Sequence, residues 1–260
     1  MKEGINIGQI NLMHSRGAAE NLKAETVEAG GLDILLIQEP YHYKNFKQNP
    51  SQHTQLQWEE YPRASIIYSN NLVVVNMDHL TTRDTACILW KTNNEQTPEI
   101  LICSTYLDIT KEPVIYDIDK CIEYSKDNNI PILIGMDSNG HSQQWGCDEN
   151  NNRGDALEEW IASSNLTIHN IGTKHTYEKG TAETIIDITL SSFSIQDFIV
   201  EWKVNDKDYM SDHKMINFSI STGTPTFTGR RHFKKADWVK FNELGKKSHG
   251  NAPHYGAKPQ

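Results

Sequence analysis

Short apolar runs that border clusters of polar residues constrain the fold of this chain more than any other feature. The run 130–134 leads directly into Gly135-Met136-Asp137-Ser138-Asn139, and Ser211-Asp212-His213 comes just before the run 215–220. Runs of this length are typical of strands that are buried on both faces. A carboxylate at the end of such a strand is costly to bury unless it meets a cation or a hydrogen-bond donor. The two clusters therefore predict a hydrolytic metal site at the ends of buried strands.

Length and composition are those of an ordinary globular protein. The chain has 260 residues, of which 37% are hydrophobic and 23% are charged. This length suits one large α/β domain or two smaller ones. No apolar run approaches the roughly 20 residues that a membrane helix needs, and the first residues lack the apolar segment of a secretory signal. We therefore expect no membrane association.

The chain has four cysteines, at positions 87, 103, 121 and 147. They are widely spaced and form no Cys-x-x-Cys pair, so a zinc ribbon is not expected. Cys87 and Cys103 lie inside apolar runs and are predicted to be small core residues. An intracellular, reducing environment is the simplest expectation for such a set.

The net charge of −9 argues against a protein that binds nucleic acid through a generally basic surface. It does not exclude a nuclease, because acidic metal ligands lower the net charge and bound cations restore positive charge locally. Basic residues are concentrated between positions 230 and 247. This stretch either contacts phosphates or forms a solvated linker, and a charge run alone favours the linker.

The predicted elements are mostly strands, with a few helices between them. Hairpin-like pairs alternate with βα units, which favours an α/β sandwich of mixed sheets over a doubly wound parallel sheet. The predicted strands at 64–68 and 72–75 are expected to form a hairpin around Ser69-Asn70-Asn71. The globular domain is predicted to span residues 1–221. Residues 222–260 are predicted to form a basic linker, with one short helix at 237–244, and a disordered tail.

Polar residues recur where the predicted strands begin or end. The set is Asn11, Glu39, Tyr106, Asp137, Asn139, Asp187, Asp212 and His213. Taken singly, such a residue is most often a turn residue, a helix cap, a solvated strand end or a packing residue. Taken together the set is more informative, because strand ends on one side of a sheet converge and ligands gather there. We therefore expect these side chains to form one site.

Cleavage of a phosphodiester requires the residue types found in this set. A carboxylate and an amide bind Mg²⁺ through oxygen atoms and leave positions for water and phosphate. A second carboxylate activates the attacking water. A histidine oriented by an aspartate donates to the phosphoryl oxygen as negative charge develops, and a tyrosine hydroxyl adds another donor. The set therefore predicts a metal-dependent phosphodiesterase.

Six short motifs occur in the order of a known superfamily. They are Gln9-Ile10-Asn11, Gln38-Glu39-Pro40, Thr105-Tyr106, Gly135-Met136-Asp137-Ser138-Asn139, residues 186–190 and Ser211-Asp212-His213. Together they resemble the exonuclease–endonuclease–phosphatase superfamily, also called DNase I-like. Asn139-Gly140-His141 and Trp145-Gly146 more closely resemble the endonuclease domain of non-LTR (LINE-type) retrotransposons. The resemblance covers residues 5–220 and implies a four-layer α/β sandwich, in which two mixed β-sheets pack together and are flanked by helices.

The resemblance implies roles for residues that contact the metal and the substrate. Glu39 would bind the metal, helped by Asn11. Asp212 would support the metal or the loop that carries the histidine. Tyr106 would contact the scissile phosphate, and Thr176 would contact the DNA backbone.

The remaining roles concern the chemical step. Asp137 would align or deprotonate the attacking water, and Asn139 would fix that water and the phosphate. Asp187 would orient His213, which would stabilise the transition state. Ser138 departs from the family pattern, which usually has an aromatic or apolar residue there, and it is predicted to alter packing rather than chemistry.

Two further segments are open to more than one interpretation. Tyr41 begins the segment 41–44, and Lys203 begins the segment 203–209. Each segment is either a loop that contacts DNA or an ordinary surface loop.

The activity implied by the resemblance is that of a DNA endonuclease that depends on Mg²⁺, with Mn²⁺ able to replace it. It would nick double-stranded target DNA in the nucleus and leave a 3′-hydroxyl that primes reverse transcription. In a full-length element, a reverse transcriptase domain would follow on the C-terminal side. Two alternatives remain open. One is an AP-endonuclease-like enzyme or other phosphodiesterase of the same fold, and the other is an inactive remnant that only binds DNA or protein.

Overall fold

The computed structural model describes residues 4–26, 31–41, 53–92, 97–111 and 116–222. All of them belong to one compact unit. The predictions made for residues 42–44 and 223–260, including the basic linker and the helix at 237–244, lie outside the described residues. Across the described part of the chain, no helix combines the length and the apolar character needed to cross a membrane.

The described elements are mainly short strands, as the apolar runs predict. The strands are β1 (Gly4–Asn11), β2 (Ile34–Gln38), β3 (His53–Gln57), β4 (Ala64–Ser69), β5 (Val73–Asn76), β6 (Thr85–Lys91), β7 (Ile100–Tyr106), β8 (Ile132–Asp137), β9 (Leu166–Ile168), β10 (Tyr177–Lys179), β11 (Ala182–Thr184), β12 (Asp187–Ser192), β13 (Ile199–Val204) and β14 (Ile216–Ser221). The α-helices are α1 (Arg16–Thr26), α2 (Tyr116–Asp127) and α3 (Asn152–Ser163), and two short 3₁₀ helices span Gln143–Trp145 and Phe193–Phe198.

Two six-stranded sheets account for most of these strands. The first has the order β13-β14-β1-β2-β4-β3, and the second has the order β5-β6-β7-β8-β12-β9. Each sheet is mixed, because β1 and β2 run parallel in the first and β7 and β8 run parallel in the second, while the other neighbours are antiparallel. The strands β10 and β11 form a separate antiparallel pair.

The sheets pack face to face around a core of aliphatic side chains, among them Ile7, Ile66 and Ile102. Helix α1 covers the outer face of the first sheet through Ala18 and Leu22. Helices α2 and α3 cover the outer face of the second sheet in another apolar cluster. The order helix, sheet, sheet, helix is the four-layer α/β sandwich predicted from the motifs, and that prediction is confirmed.

The hairpin predicted at 64–68 and 72–75 is wrong. β4 pairs with β2 and β3 in the first sheet, whereas β5 pairs with β6 in the second. β4 is almost wholly buried between two neighbours, so β5 finds no free edge beside it. A short polar connection between two apolar runs is equally suited to a turn within one sheet and to a crossing between two, and the sequence does not distinguish them.

The core positions predicted for Cys87 and Cys103 are confirmed. Cys87 and Cys103 are fully buried cross-strand partners on β6 and β7, and their sulfur atoms lie 3.2 Å apart. Cys121 on α2 completes a group whose Sγ atoms lie within 4.8 Å of one another. These residues therefore fill the layer between the second sheet and its helix.

Two buried glutamines join the sheets beneath the strand ends. Gln9 on β1 donates through Nε2 to the carbonyl oxygens of Met136 (3.2 Å) and Ile188 (3.3 Å) on the second sheet. Gln38 on β2 donates in the same way to the carbonyl oxygen of Gly135 (3.2 Å). Both glutamines have no solvent exposure, so these bonds form in a low-dielectric interior where an unpaired amide would be costly. The bonds fix how the strands of one sheet are aligned with those of the other.

Glycine at position 135 is required by this close approach. A Cβ atom there would lie 2.6 Å from Leu36 Cδ1 and 2.9 Å from Gln9 Oε1, both on the facing sheet. Contacts this short would force the side chains of Leu36 and Gln9 to move within the packed interior between the sheets. The glycine that precedes Asp137 in the sequence motif therefore serves the packing between the sheets.

Candidate active site

Strand register brings the predicted residues to one edge of the sandwich. In the second sheet, Asp137 at the end of β8 lies opposite both Tyr106 at the end of β7 and Asp187 at the start of β12. In the first sheet, Asn11 ends β1 opposite Gln38, and Glu39 follows directly. Since the sheets pack face to face, these strand ends meet in one place.

An amide shared by two carboxylates links the two sheets at this edge. Asn11 Nδ2 donates to Asp137 Oδ2 at 2.7 Å and to Glu39 Oε2 at 3.1 Å. Asn11 is itself held in place, because its Oδ1 accepts from the backbone N–H of Met13 at 2.7 Å. Carboxylate oxygens held close together in this way suit a hard divalent cation, which prefers oxygen ligands. The donor set therefore fits the metal expected from the sequence.

A buried histidine lies between two aspartates. His213 donates through Nδ1 to Asp187 Oδ2 at 2.8 Å, and its Nε2 lies 3.9 Å from Asp137 Oδ2. The two aspartates are each 1% exposed and His213 is 4% exposed. The ring of Tyr177 packs edge-on against the imidazole with 4.9 Å between the centroids. The predicted pairing of Asp187 with His213 is thus present, and it leaves Nε2 directed at Asp137.

Burial and mutual charge set the protonation of this group. Burial, with the negative charge of Asp187 second, raises the pKa of Asp137 to about 7. Burial alone would lower the pKa of His213, but the charge and hydrogen bond of Asp187 outweigh it and raise that pKa to about 9. Between these values an ionised Asp137 faces a protonated His213. A proton acceptor and a hydrogen-bond donor are then available side by side.

The raised pKa of Asp137 predicts how stability depends on pH. The folded protein holds this proton up to about pH 7, against an ordinary pKa of 3.8. The stabilisation of the folded state by the proton on Asp137 is therefore complete below about pH 4 and is lost as pH rises through 7. Because one pKa unit corresponds to 1.36 kcal/mol, the loss amounts to at most about 4 kcal/mol. Urea unfolding in EDTA should show wild type losing stability relative to Asp137→Asn between pH 4 and 7. A difference that stays constant with pH would contradict the assignment.

Tyr106 lies against an arginine that the sequence analysis did not single out. The guanidinium carbon of Arg63 lies 5.0 Å from the centre of the Tyr106 ring. Arg63 binds both carboxylate oxygens of Asp84 at 2.5 Å and donates to Asp108 at 2.6 Å. Burial, with the charges of Glu39 and Asp137, raises the pKa of Tyr106, so its hydroxyl keeps its proton and remains a donor.

The loop after Asp137 is held on both sides. Asn139 has a left-handed backbone (φ 48°); its N–H donates to Asp137 Oδ1 at 3.1 Å and its Nδ2 donates to Leu107 O at 2.9 Å. Ser138 is fully buried, and its hydroxyl donates to the carbonyl of Ile186 at 2.7 Å. The family departure at Ser138 thus places a hydrogen bond beside Asp187.

Arg153 is a second arginine that sequence reasoning missed. It donates to the carbonyl oxygens of Ser138 (2.8 Å), Lys111 (2.8 Å) and Asp108 (3.1 Å). These carbonyls lie in the loops that follow Asp137 and Tyr106, so Arg153 ties the two loops together. The bound groups are 15 to 45 residues away in the chain, and no local pattern in the sequence could indicate them.

Three predicted residues lie apart from the buried group. Asp212 pairs with Lys179 at 3.1 Å and is one-third exposed. Lys203 is exposed on β13 and lines a depression with Asn6 and Asn217. Tyr41 is partly buried at the last described position of its segment.

The predicted contact of Thr176 with DNA is corrected by its burial. Its side chain has no solvent exposure, and its Oγ1 accepts from the backbone N–H groups of Ile186 and Asp187, each at 3.1 Å. A side chain enclosed in this way has no free surface for a phosphate. Thr176 instead fixes the backbone from which Asp187 reaches His213.

The sequence and the fold can be compared with known proteins. A family model described as "Endonuclease-reverse transcriptase" matches residues 100–217. The endonuclease domain of TRAS1, a telomere-specific non-LTR retrotransposon, is 26% identical, has a TM-score of 0.70, and is matched over 83% of this chain and 98% of that chain. No curated protein matches the chain by sequence.

Two more distant structures share the fold alone. The AP endonuclease LMAP from Leishmania major is 11% identical (TM-score 0.61), with 84% of this chain and 88% of that chain matched. The human Nocturnin catalytic domain with bound sulfate is 15% identical (TM-score 0.60), with 85% of this chain and 95% of that chain matched.

Fold and site together define a protein of the DNase I-like class. Residues 100–217 match the endonuclease–reverse transcriptase family, and the chain as a whole resembles the endonuclease domain of the non-LTR retrotransposon TRAS1. The recognition made from the six motifs is therefore confirmed.

Proposed function

We propose that this domain is a DNA endonuclease that uses a divalent cation, Mg²⁺ or in its place Mn²⁺, to nick double-stranded DNA. The observation that carries the proposal is the junction at Asp137. Its carboxylate is joined through Asn11 to Glu39 and faces His213, which Asp187 holds. A cation-binding carboxylate, a base and an oriented donor are the parts that hydrolysis of a phosphodiester requires.

Each side chain then has a defined task in the reaction. Glu39 would hold the cation, and Asn11 would fix both carboxylates through its amide group. When bound, the cation would act as a Lewis acid on the phosphate oxygens. Asp137 would align the attacking water or take its proton, with Asn139 holding Asp137 in place.

The donors act on the phosphate. His213, protonated and held by Asp187, would donate through Nε2 to a phosphoryl oxygen as negative charge develops. Tyr106 would donate from its hydroxyl to the scissile phosphate, with Arg63 fixing the ring. The proposal thus uses one donor that ends β7 of the second sheet (Tyr106), one donor that precedes β14 of the first sheet (His213), and a cation ligand that follows β2 of the first sheet (Glu39).

We further propose that the nick serves target-primed reverse transcription in the nucleus. A nick that leaves a 3′-hydroxyl gives a primer to a reverse transcriptase, which in a full-length element would follow on the C-terminal side. The family description joins the two activities in its name, and the TRAS1 domain comes from an element of this kind.

Nicking of supercoiled plasmid tests the proposal. We expect the protein to convert supercoiled plasmid to open circles with Mg²⁺ or Mn²⁺, and not in EDTA. The nicked product should be extended by a DNA polymerase without prior treatment, since a 3′-hydroxyl is the substrate for extension. A duplex oligonucleotide with one abasic site serves as the comparison substrate.

The outcomes separate the alternatives. Cleavage confined to the abasic duplex would replace the proposal with an AP-endonuclease-like repair activity. Binding of plasmid without nicking, in both metals, would indicate a remnant that only binds DNA. Nicked plasmid that cannot be extended would contradict the priming role alone.

A further inference from the structure

His14 lies beside Glu39, the residue proposed above to hold the cation. Its Nε2 lies 3.6 Å from Glu39 Oε1, on the side of the carboxylate away from Asn11. Its Nδ1 lies 2.9 Å from the carbonyl oxygen of Pro40. His14 is half exposed and Glu39 is 20% exposed, so ions from solvent can reach the space between them.

The carbonyl of Pro40 fixes the tautomer of His14. A carbonyl oxygen only accepts, so Nδ1 must carry the hydrogen. In the neutral ring, Nε2 then presents a lone pair to a carboxylate oxygen that also only accepts. Two acceptors facing each other repel unless a cation lies between them or the ring is protonated. The distance of 3.6 Å is also longer than an ordinary hydrogen bond of 2.7–3.2 Å.

The distance suits two ligands of one metal ion. Ligand atoms about 2.1–2.2 Å from a common metal are about 3.0–3.6 Å apart for bond angles between a right angle and the tetrahedral angle. Metal-binding histidines almost always donate their other ring N–H to a carboxylate or a backbone carbonyl, as Nδ1 does here.

The backbone holds His14 in this position at a conformational cost. Met13 (φ 50°), His14 (φ 53°) and Glu39 (φ 45°) all adopt the left-handed conformation. The N–H of His14 donates to the carbonyl of Glu39 at 2.8 Å, which couples the two segments. Non-glycine residues in this region cost about 1–3 kcal/mol each and cluster at functional sites.

We propose that His14 is a ligand of the divalent cation held by Glu39. The inference rests on the proposed function, since it concerns the same cation. Imidazole nitrogen favours the later transition metals, and Mg²⁺ strongly favours oxygen. His14 therefore biases the site towards Mn²⁺ over Mg²⁺.

Mn²⁺ binding by the full chain tests the assignment directly. Pulsed electron paramagnetic resonance of bound Mn²⁺ should show coupling to an imidazole nitrogen, and ¹⁵N-labelled histidine should shift it. His14→Gln should abolish this coupling and weaken Mn²⁺ binding about 10-fold or more in calorimetry. Mg²⁺ binding should weaken less, so the ratio of the two dissociation constants should narrow. Circular dichroism checks that the variant is folded.

His175→Gln is the matched control. His175 also lies beside a glutamate, with Nδ1 3.3 Å from Glu183 Oε2, and it is similarly exposed. This variant should keep the nitrogen coupling and the affinity of wild type.

Three results would overturn the inference. The first is a wild-type spectrum without nitrogen coupling, which reduces the His14–Glu39 contact to an ion pair. The second is coupling that survives in His14→Gln and is lost in His213→Gln. The third is a wild type that binds no Mn²⁺. In the first two cases the proposed function stands if the wild type nicks plasmid with Mg²⁺. A wild type that neither binds Mn²⁺ nor nicks plasmid rejects the proposed function together with the assignment of His14.

Discussion

Replacing Asp137 with asparagine should lower the rate of plasmid nicking by about 10²–10⁴-fold. The site would lose a proton acceptor, and Glu39 would be the one carboxylate left of the two that Asn11 joins. The amide has the shape of the carboxylate, but its NH₂ group cannot accept, so the variant keeps only one of the two hydrogen bonds that Asn11 Nδ2 and the Asn139 N–H make to Asp137. Thermal unfolding at pH 5 should confirm that the variant folds. Initial rates on supercoiled plasmid, with Mg²⁺ in excess, give the measurement.

Asp206→Asn is the control for this variant. Asp206 pairs with Lys174, is 94% exposed and lies outside the buried group, so its rate should stay within about two-fold of wild type. A folded Asp137→Asn protein with wild-type activity would remove Asp137 from the mechanism and with it the junction that supports the proposal.

Replacing His213 with glutamine should cost about 10²–10³-fold in the nicking rate, and the loss should not add to that of Asp187→Asn. Asp187 reaches the reaction through the Nδ1 hydrogen bond, so it has little to orient once His213 is absent. The double variant should therefore be about as slow as His213→Gln alone. Single and double variants are compared by initial rates at pH 8.

Losses that multiply in the double variant would contradict this assignment. They would indicate that Asp187 acts by a route of its own. The structure offers such a route, because Asp187 Oδ1 is buried without a hydrogen-bond partner among the described residues. His175→Gln provides the control for loss of an imidazole elsewhere on the surface.

The sequence predicts the strand-end residues well because they follow from local patterns. Asp137 ends an apolar run and His213 precedes one, and the register of neighbouring strands then brings such ends together. The order of six motifs adds the family. The contacts of Arg63 and Gln9 could not be predicted in this way, since Arg63 binds Asp108 across 45 residues and Gln9 reaches Met136 across 127.

The errors have physical causes of the same kind. Strand membership of β4 and β5 depends on which sheet has a free edge, and no local signal reports that. Thr176 lies just before β10, and such a position fits a surface contact as well as a buried one. Its burial depends on Asp187 and Ile186, whose N–H groups require an acceptor.

The glutamine bonds between the sheets have a consequence for how the centre tolerates mutation. Asn11 and Asp137 belong to different sheets, and their 2.7 Å hydrogen bond depends on the alignment that Gln9 and Gln38 fix. A slip of one residue along a strand displaces a side chain by about 3.3 Å, which is enough to separate that pair. The tolerance of the proposed catalytic centre to mutation therefore depends on two amides in the interior, which have no solvent exposure.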